Sequence, residues 1–245
     1  MKKVILFVVI IVIVGGGAFS YFLLPDILAS SERMVQTEEI RLESGKAGSL
    51  VLYTNFDEVS IVQHSGPEEI VIKAEIELNL EEIKGKEMIE KNLKLDALRR
   101  GSRVSVEAVY SRTLMNHFSG ISGYLYLTVY VPEGILIEST TEGKEGYYGD
   151  LSNSLILNDG KGEIAVENLK GNIKILDQEG GIFCSSVEGD IEIDDEKGDI
   201  DISDVSGSLF LKGISDSIYA ENISGNVSIQ SKGAVISITN GKGDF

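Results

Sequence analysis

An 18-residue repeat in the C-terminal part of the chain constrains the fold more than any other feature. From residue 162 onward glycine recurs on a nine-residue grid, at positions 162, 171, 180, 189, 198, 207, 225 and 243. Doubling that period aligns five repeats without an insertion, at 151–168, 169–186, 187–204, 205–222 and 223–240. Such regular spacing is typical of chains that stack one structural unit on the next.

Five positions of the repeat are apolar in all five copies: the first, fifth, seventh, fourteenth and sixteenth. The fourteenth is always isoleucine, at Ile164, Ile182, Ile200, Ile218 and Ile236. Side chains two residues apart lie on one face of a strand, so each repeat is predicted to contain two short strands with inward pairs. Glycine before each pair permits a tight bend. One repeat cannot offset the entropy cost of its own ordering, so we expect parallel coils that fold as a stack.

Strand patterns extend upstream of the repeats. Residues 49–140 alternate apolar and polar side chains, with one short helix predicted at Lys86–Asn92 and a hairpin turn at Arg99–Ser102. We therefore predict an all-β protein, with a β-rich lead-in module at 49–140 and a parallel β-solenoid, or β-helix, of five 18-residue repeats at 141–245. Residues 26–48 are polar with little periodicity, which indicates a stalk or linker.

Residues 1–25 are predicted to form a transmembrane anchor or a signal peptide. Lys2 and Lys3 precede an uncharged run from Val4 to Leu24. At about 1.5 Å per residue, a helix of this length spans the hydrocarbon core of a bilayer. The lysines favour a cytoplasmic N-terminus, which places the bulk of this single-pass protein outside the cell membrane. Cleavage near Ala18, with secretion of the remainder, is the alternative.

Charge and composition disfavour several functions. The formal net charge is −17, from 39 acidic and 22 basic residues, so phosphate backbones repel the chain and nucleic-acid binding is disfavoured. The single cysteine, Cys184, cannot form an internal disulfide, and with two histidines it cannot complete a zinc site. It lies at a core position of the repeat, where we expect a buried, unreactive thiol. We predict no catalytic residue, no cofactor and no metal.

Nine acids crowd into residues 188–204. They could form a solvated face, a calcium site or paired carboxylates for glycan cleavage. Calcium-binding repeats carry Gly-Gly-x-Gly-x-Asp turns, and these are missing from the sequence. Because the repeats also contain no arginine and no histidine, we favour the solvated face.

Aromatic side chains occupy outward positions of the repeat. Phe183, Asp201 and Tyr219 align on one predicted face, and Glu192 lies beside Phe210 on the other. Rows of aromatic and carboxylate side chains can stack sugar rings, so these five residues are the candidate surface-binding residues. Packing of the aromatic side chains against the lead-in module is the other interpretation, and it is the one that we favour.

A strand ends near Val131–Gly134, and the repeats that follow contain units such as Glu188–Ile193 and Lys197–Ile202. In these features the chain resembles the bacterial putative-adhesin family, over about residues 49–245. The resemblance implies an extracytoplasmic, membrane-anchored β-solenoid of unknown biochemical role, and it brings no catalytic residues.

Three functional hypotheses follow. The first is a non-enzymatic, adhesin-like module that binds or scaffolds glycans or proteins of the cell envelope. The second is self-assembly through uncapped ends of the stack, because a sixth repeat begins after Asn240 and stops, which leaves a strand edge. Lys242 and Asp244 could instead blunt that edge. The third is a glycan-active or calcium-dependent β-helix protein.

Overall fold

A computed structural model describes residues 33–45, 47–64, 69–79, 82–111 and 123–244. Within them the chain forms twenty strands and one helix, and the strands are divided equally between two sheets. The predicted membrane segment, Val4–Leu24, lies outside these residues. Of the helices in the described part, none is long and apolar enough to cross a membrane.

From β7 (Gly123–Val131) onward, successive strands of the chain alternate between the two sheets. The first sheet holds β1 (Arg33–Glu43), β3 (Glu58–Gln63), β4 (Glu69–Asn79), β7 (Gly123–Val131), β9 (Glu145–Leu151), β11 (Glu163–Lys170), β13 (Ile182–Glu188), β15 (Asp199–Val205), β17 (Ser217–Ile223) and β19 (Val235–Thr239). The second holds β2 (Ser49–Thr54), β5 (Leu93–Arg100), β6 (Arg103–Tyr110), β8 (Leu136–Thr141), β10 (Leu155–Asp159), β12 (Ile173–Asp177), β14 (Ile191–Asp195), β16 (Leu209–Gly213), β18 (Asn226–Ser231) and β20 (Lys242–Asp244). The helix α1 (Glu82–Asn92) follows β4 and confirms the one short helix predicted from the sequence.

Strands of the repeats pair in parallel with partners 18 residues apart. In the second sheet Leu155 lies beside Ile173, and in the first sheet Ile164 lies beside Ile182. The five apolar positions point inward and are buried throughout residues 151–222, where they join one core between the two sheets. One strand from each sheet therefore makes a coil, and successive coils bury a continuous apolar interior.

The repeated glycines lie where successive coils approach too closely for a side chain. A Cβ atom on Gly180 would overlap the backbone of Gly162, and one on Gly198 would overlap the backbone of Gly180. Gly189 and Gly207 belong to a second column with the same property. The repeat pattern predicts these glycines at tight bends. In the structure, close backbone approach between neighbouring coils is what excludes larger residues.

Each repeat ends at a turn, and one polar residue at that turn has a positive φ angle. We call these six residues the turn ladder; their φ angles lie between 52° and 56°, and they are Asp150, Asn168, Ser186, Asp204, Asn222 and Asn240. Asparagine and aspartate tolerate this left-handed conformation better than most residues. Asn222 donates from Nδ2 to Asp204 Oδ1 at 2.9 Å, and Asn240 donates from Nδ2 to Asn222 Oδ1 at 2.9 Å. Neighbouring coils are thus joined by side chains at the turn.

The 18-residue register extends one coil further upstream than the sequence pattern indicates. Tyr148 in β9 lies beside Val166 in β11 at the same offset. Gly146 and Ser139 stand where the repeats have larger apolar residues. The buried Tyr148 ring lies against Gly146, and its hydroxyl lies 3.4 Å from the Ser139 hydroxyl. The large ring of Tyr148 therefore fills the space that the small residues Gly146 and Ser139 leave in the core.

The lead-in strands continue the same two sheets. β2 and β3 pair in parallel with β8 and β9, and β6 and β7 pair in parallel with β2 and β3. Beyond them, β5 pairs antiparallel with β6, β4 with β7, and β1 with β4. The β5–β6 hairpin confirms the predicted turn at Arg99–Ser102.

Residues 33–43 fall within the segment interpreted as a stalk, yet they form β1 and pair with β4 along its whole length. Met34 and Ile40 are buried, whereas Arg41 lies on the outer side and contacts Glu39 and Glu69. The local pattern is weak because an edge strand keeps polar and charged side chains on its open side.

At the other end of the stack, β20 pairs with β18 at an offset of 16 residues, with Gly243 beside Val227. The 18-residue register therefore stops at this point. β19 is the terminal strand of the first sheet among the described residues.

Candidate functional site

Phe183, Asp201 and Tyr219 lie side by side on the outer surface of the first sheet, in β13, β15 and β17. Their chain neighbours Ile182, Ile200 and Ile218 point into the core, so these three side chains point outward. Phe183 is 43% exposed and Tyr219 is 50% exposed. The favoured interpretation, packing against the lead-in module, is therefore wrong for these side chains, because the described lead-in strands extend the two sheets and do not cover them.

Tyr147 extends this surface and was missed by sequence reasoning because it precedes the first repeat. It lies beside Ala165, which lies beside Phe183. An aromatic ring therefore occupies every second strand, and adjacent rings are about 10 Å apart because neighbouring strands are about 4.8 Å apart. We call Tyr147, Ala165, Phe183, Asp201 and Tyr219 the aromatic row. The Tyr147 hydroxyl lies 3.4 Å from Glu167 Oε2.

Acidic side chains flank the aromatic row on both sides. Glu163 and Asp199 precede its members by two residues in β11 and β15, and Glu167 and Glu221 follow its members by two residues in β11 and β17. All four are exposed. The surface is therefore negative along its length, and its rings are accessible from solvent.

The second pair of candidate residues lies on the opposite outer surface, in the second sheet. Glu192 in β14 lies beside Phe210 in β16, and Phe210 is 48% exposed. Lys174 Nζ donates to Glu192 Oε1 at 2.6 Å. Because the core separates the two sheets, these residues cannot share one site with the aromatic row.

The acidic stretch 188–204 is mostly solvated, as the favoured interpretation expects. Eight of its nine acids are partly or fully exposed, whereas Asp195 is fully buried, at 0% exposure. Within the described ranges, no group of three or more histidine, cysteine, aspartate or glutamate side chains is arranged to hold a metal ion.

Asp195 belongs to a buried row that sequence reasoning missed. Asp159, Asp177 and Asp195 lie side by side in β10, β12 and β14, with exposures of 4%, 3% and 0%. Burial raises the pKa of Asp159, and it raises the pKa of Asp177 to about 7 with a further contribution from the two neighbouring carboxylates. The repeat contains a signal for this row: the ninth position shares a strand face with the inward fifth and seventh positions.

Cys184 is 2% exposed, as its core position in the repeat predicts. Burial raises the pKa of its thiol to about 12. The thiolate, which is the reactive form, is therefore scarce at neutral pH.

The architecture defines an all-β protein in which mainly parallel strands stack around one core and leave regular rows of side chains outside. The chain is similar to the solved structure of a "putative cell adhesion protein" from Clostridium sporogenes, with 14% identity over 84% of this chain and 99% of that one, and a TM-score of 0.46. It is similar to a "putative adhesin" from Bacteroides fragilis, with 12% identity over 83% and 96% of the two chains and a TM-score of 0.38.

A "putative lipid binding protein" from Parabacteroides distasonis is a further neighbour, with 11% identity over 84% and 95% of the two chains and a TM-score of 0.34. The adhesin names agree with the family that the sequence resembles. No protein-family model and no curated protein matches the sequence.

Proposed function

We propose that this chain is a non-enzymatic, extracytoplasmic β-solenoid of five 18-residue repeats that acts as an adhesin-like binding or scaffolding module of the bacterial cell envelope. The observation that carries the proposal is the aromatic row. Tyr147, Phe183 and Tyr219 present regularly spaced rings on the outside of one continuous sheet. A rigid surface with a regular spacing suits a ligand that is itself a repeating polymer.

The ligand class that best fits the aromatic row is a glycan. The faces of pyranose rings are apolar and pack against aromatic side chains, which provide a large contact area at low entropy cost. One strand spacing is close to the length of one sugar unit in a β-1,4-linked chain. Rings on every second strand therefore face alternate sugar units, while Ala165 and Asp201 face the units between them.

The negative charge around the aromatic row determines which glycans are expected to bind. Glu163, Glu167, Asp199 and Glu221 flank the row, and Asp201 lies within it. These carboxylates repel polymers rich in phosphate or uronate and attract polymers with free amino groups. We therefore expect neutral and amino-sugar glycans to bind in preference to anionic ones.

The test is a binding titration of the full-length protein in detergent with oligosaccharides of β-1,4-linked glucosamine. The same titration uses their N-acetylated forms and uronate oligosaccharides of equal length. We expect Phe183→Ala and Tyr219→Ala each to weaken binding by about fivefold or more, since a lost stacked ring costs about 1–3 kcal/mol at comparable sites. Phe210→Ala, on the opposite sheet, is the matched control. If none of these glycans binds the wild-type protein, the proposal is wrong. If only Phe210→Ala loses glycan binding, the site lies on the second sheet and not on the aromatic row.

Membrane anchoring is the second part of the proposal and is supported by the run from Val4 to Leu24 after two lysines. We expect the intact protein to sediment with membranes and to be digested by protease added outside whole cells. Replacement of Val9 and Ile13 by arginine is expected to release it from the membrane fraction, since charges at the centre of a spanning helix are costly. A wild-type protein found in the soluble cytoplasmic fraction would contradict this localisation.

Self-assembly is a second candidate function, and the exposed terminal strand β19 favours it. Val235 is 66% exposed and Ile236 is 42% exposed, and residues 223–240 contain one lysine and no acid. An apolar strand edge of low charge can pair with another strand. In a chain with a net charge of −17, such an end is where a second copy meets the least repulsion.

Sedimentation velocity over a range of protein concentrations tests this candidate. We expect the wild-type protein to form larger species as concentration rises, and Val235→Lys to suppress them because a lysine on an edge strand disfavours strand pairing. Ile156→Lys, at an exposed apolar position of the interior strand β10, is the control and should leave the larger species unchanged. A wild-type protein that stays monomeric at every concentration would exclude the candidate without affecting the glycan proposal.

A further inference from the structure

Three aspartates occupy the ninth position of the first three repeats and form a buried row. Asp159, Asp177 and Asp195 follow one another across β10, β12 and β14, at neighbouring positions of a parallel sheet. None is more than 4% exposed. Adjacent strands are about 4.8 Å apart, so each carboxyl group lies close to the next in an environment with little water.

Hydroxyl groups close both ends of the row. Thr141 Oγ1 donates to Asp159 Oδ1 at 2.7 Å, and Ser215 Oγ donates to Asp195 Oδ2 at 2.7 Å. Beyond Asp195 the row cannot continue, because the next ninth position is Gly213, where a Cβ atom would overlap the Asp195 backbone. The end members are therefore stabilised as hydrogen-bond acceptors.

The middle member has no such support. Neither carboxyl oxygen of Asp177 has a hydrogen-bond partner of ordinary geometry, although the side chain is 3% exposed. The backbone N–H of Gln178 lowers the pKa of Asp177, but less than burial and the two neighbouring carboxylates raise it. A buried, ionised carboxylate without a donor is costly, and Asp159 and Asp195 on either side make a negative charge still less favourable. A protonated Asp177 removes both problems, because its O–H can donate to the neighbouring carboxylate.

The nearby lysines do not compensate this charge. Lys161 and Lys197 lie in the turns beside the row, but their amino groups bind Glu179, at 3.4 Å and 3.0 Å. Glu179 and both lysines are exposed. The charged groups that act on Asp177 are thus Asp159 from β10 and Asp195 from β14, both of the same sign as its carboxylate.

We propose that the row Asp159–Asp177–Asp195 is a proton-binding site, in which Asp177 holds the proton, donates it to Asp195 and makes the stability of the stacked coils depend on pH. The ligand is a single proton shared within a buried row, independent of any glycan or partner. Loss of that proton places adjacent negative charges inside the core and weakens the pairing of β12 with β14.

The direction of the pH dependence follows from the titration of Asp177. Its pKa is raised from 3.8 to about 7 in the folded chain, first by burial and then by the neighbouring carboxylates. Between these pH values the folded state holds a proton that the unfolded state has released. Stability from this group is therefore fully present below pH 4 and is lost as the pH rises through about 7. The raised pKa of Asp159, also due first to burial, acts in the same direction.

Urea unfolding of the full chain in detergent at pH 5 and pH 8 tests the proposal. For the wild-type protein we expect the unfolding equilibrium constant to rise by about 100-fold over this range from Asp177 alone. Asp177→Asn keeps the shape and a hydrogen-bond donor without a proton to lose, so this increase should vanish. Asp201→Asn, which changes an exposed aspartate in the neighbouring sheet, should retain it. A wild-type protein with equal stability at both pH values, or an unchanged increase in Asp177→Asn, overturns the proposal.

Two further measurements keep the test decisive if Asp177→Asn fails to fold. Infrared difference spectra of the wild-type protein should show the band of a protonated carboxyl group that disappears with a midpoint near pH 7. Calcium or sodium added at pH 8 should leave the unfolding midpoint unchanged relative to an equal ionic strength of tetramethylammonium chloride. Absence of the carboxyl band would show that the row does not hold a proton. Specific stabilisation by either metal ion at pH 8 would show that the deprotonated row binds a cation, which contradicts a site for a proton alone.

Discussion

Ile200 and Ile236 occupy the same position of the 18-residue pattern, two coils apart in the same row, yet Ile200 is fully buried and Ile236 is 42% exposed. Ile218 lies between them and is also fully buried. The difference is therefore due to the position of each coil in the stack, since Ile236 belongs to the terminal strand of the first sheet.

We expect the same substitution, isoleucine to alanine, to lower the free energy of unfolding by different amounts at these two positions. Ile200→Ala leaves a cavity between two sheets and is expected to lower the free energy of unfolding by about 3 kcal/mol. Ile236→Ala removes atoms that are already partly in water, so its cost should be about 1 kcal/mol or less. Urea unfolding followed by circular dichroism measures both. Equal costs would mean that β19 is covered in solution, as self-assembly requires.

We expect two glycine-to-alanine substitutions to differ strongly in the free energy of unfolding that they cost, because only one of the two glycines lies too close to the neighbouring coil for a methyl group. In Gly180→Ala the new methyl group overlaps the Gly162 backbone, so neighbouring coils must separate, at a cost of about 2–3 kcal/mol. Gly160→Ala is the control, because the nearest atom to its methyl group is the Thr141 carbonyl oxygen at 3.9 Å. Its effect should stay within about 0.5 kcal/mol. Thermal and urea unfolding compare the variants, and a similar loss at both sites would contradict the close-approach explanation.

The turn ladder predicts that glycine is tolerated better than alanine at Asn222, whose φ is 56°. Both substitutions remove its hydrogen bonds to Asp204 and Asn240. Alanine must also adopt a left-handed conformation, which costs about 1 kcal/mol that glycine does not incur. We expect Asn222→Ala to be less stable than Asn222→Gly by about that amount in urea unfolding. The reverse order would show that backbone freedom in the unfolded chain outweighs strain at this turn.

The inward apolar positions, the 18-residue offset and the alignment of Phe183 with Asp201 and Tyr219 were predictable from the sequence. Each depends only on spacing along a strand, and the spacing is the same in every repeat. Asp177 shows the limit of that approach, because its residue type indicates the surface whereas its spacing from Ile173 and Ile175 indicates the core. Where residue type and spacing disagree in a regular stack, the spacing determines burial.

Two other features depend on contacts between parts of the chain that the local pattern does not reveal. The coil that contains Tyr148 does not show the repeat pattern, because Gly146 and Ser139 stand at two of the apolar positions. The Tyr148 side chain fills the space that larger residues would occupy there. The strand β1 cannot be recognised from its own sequence, because it is an edge strand whose partner, Glu69–Asn79, lies far along the chain. Its register is determined by that partner and not by its own alternation.

The buried thiol of Cys184 predicts resistance to alkylation in the folded protein. Burial keeps reagents away and raises the thiol pKa to about 12, so little thiolate forms at pH 8. Reaction with iodoacetamide should therefore require unfolding and be about 1,000-fold or more slower than for an exposed cysteine. The matched control is Phe183→Cys in a Cys184→Ala background, which moves the thiol by one residue to the exposed face of β13. Mass spectrometry follows both reactions, and rapid native labelling of Cys184 would show that the coils open around it without global unfolding.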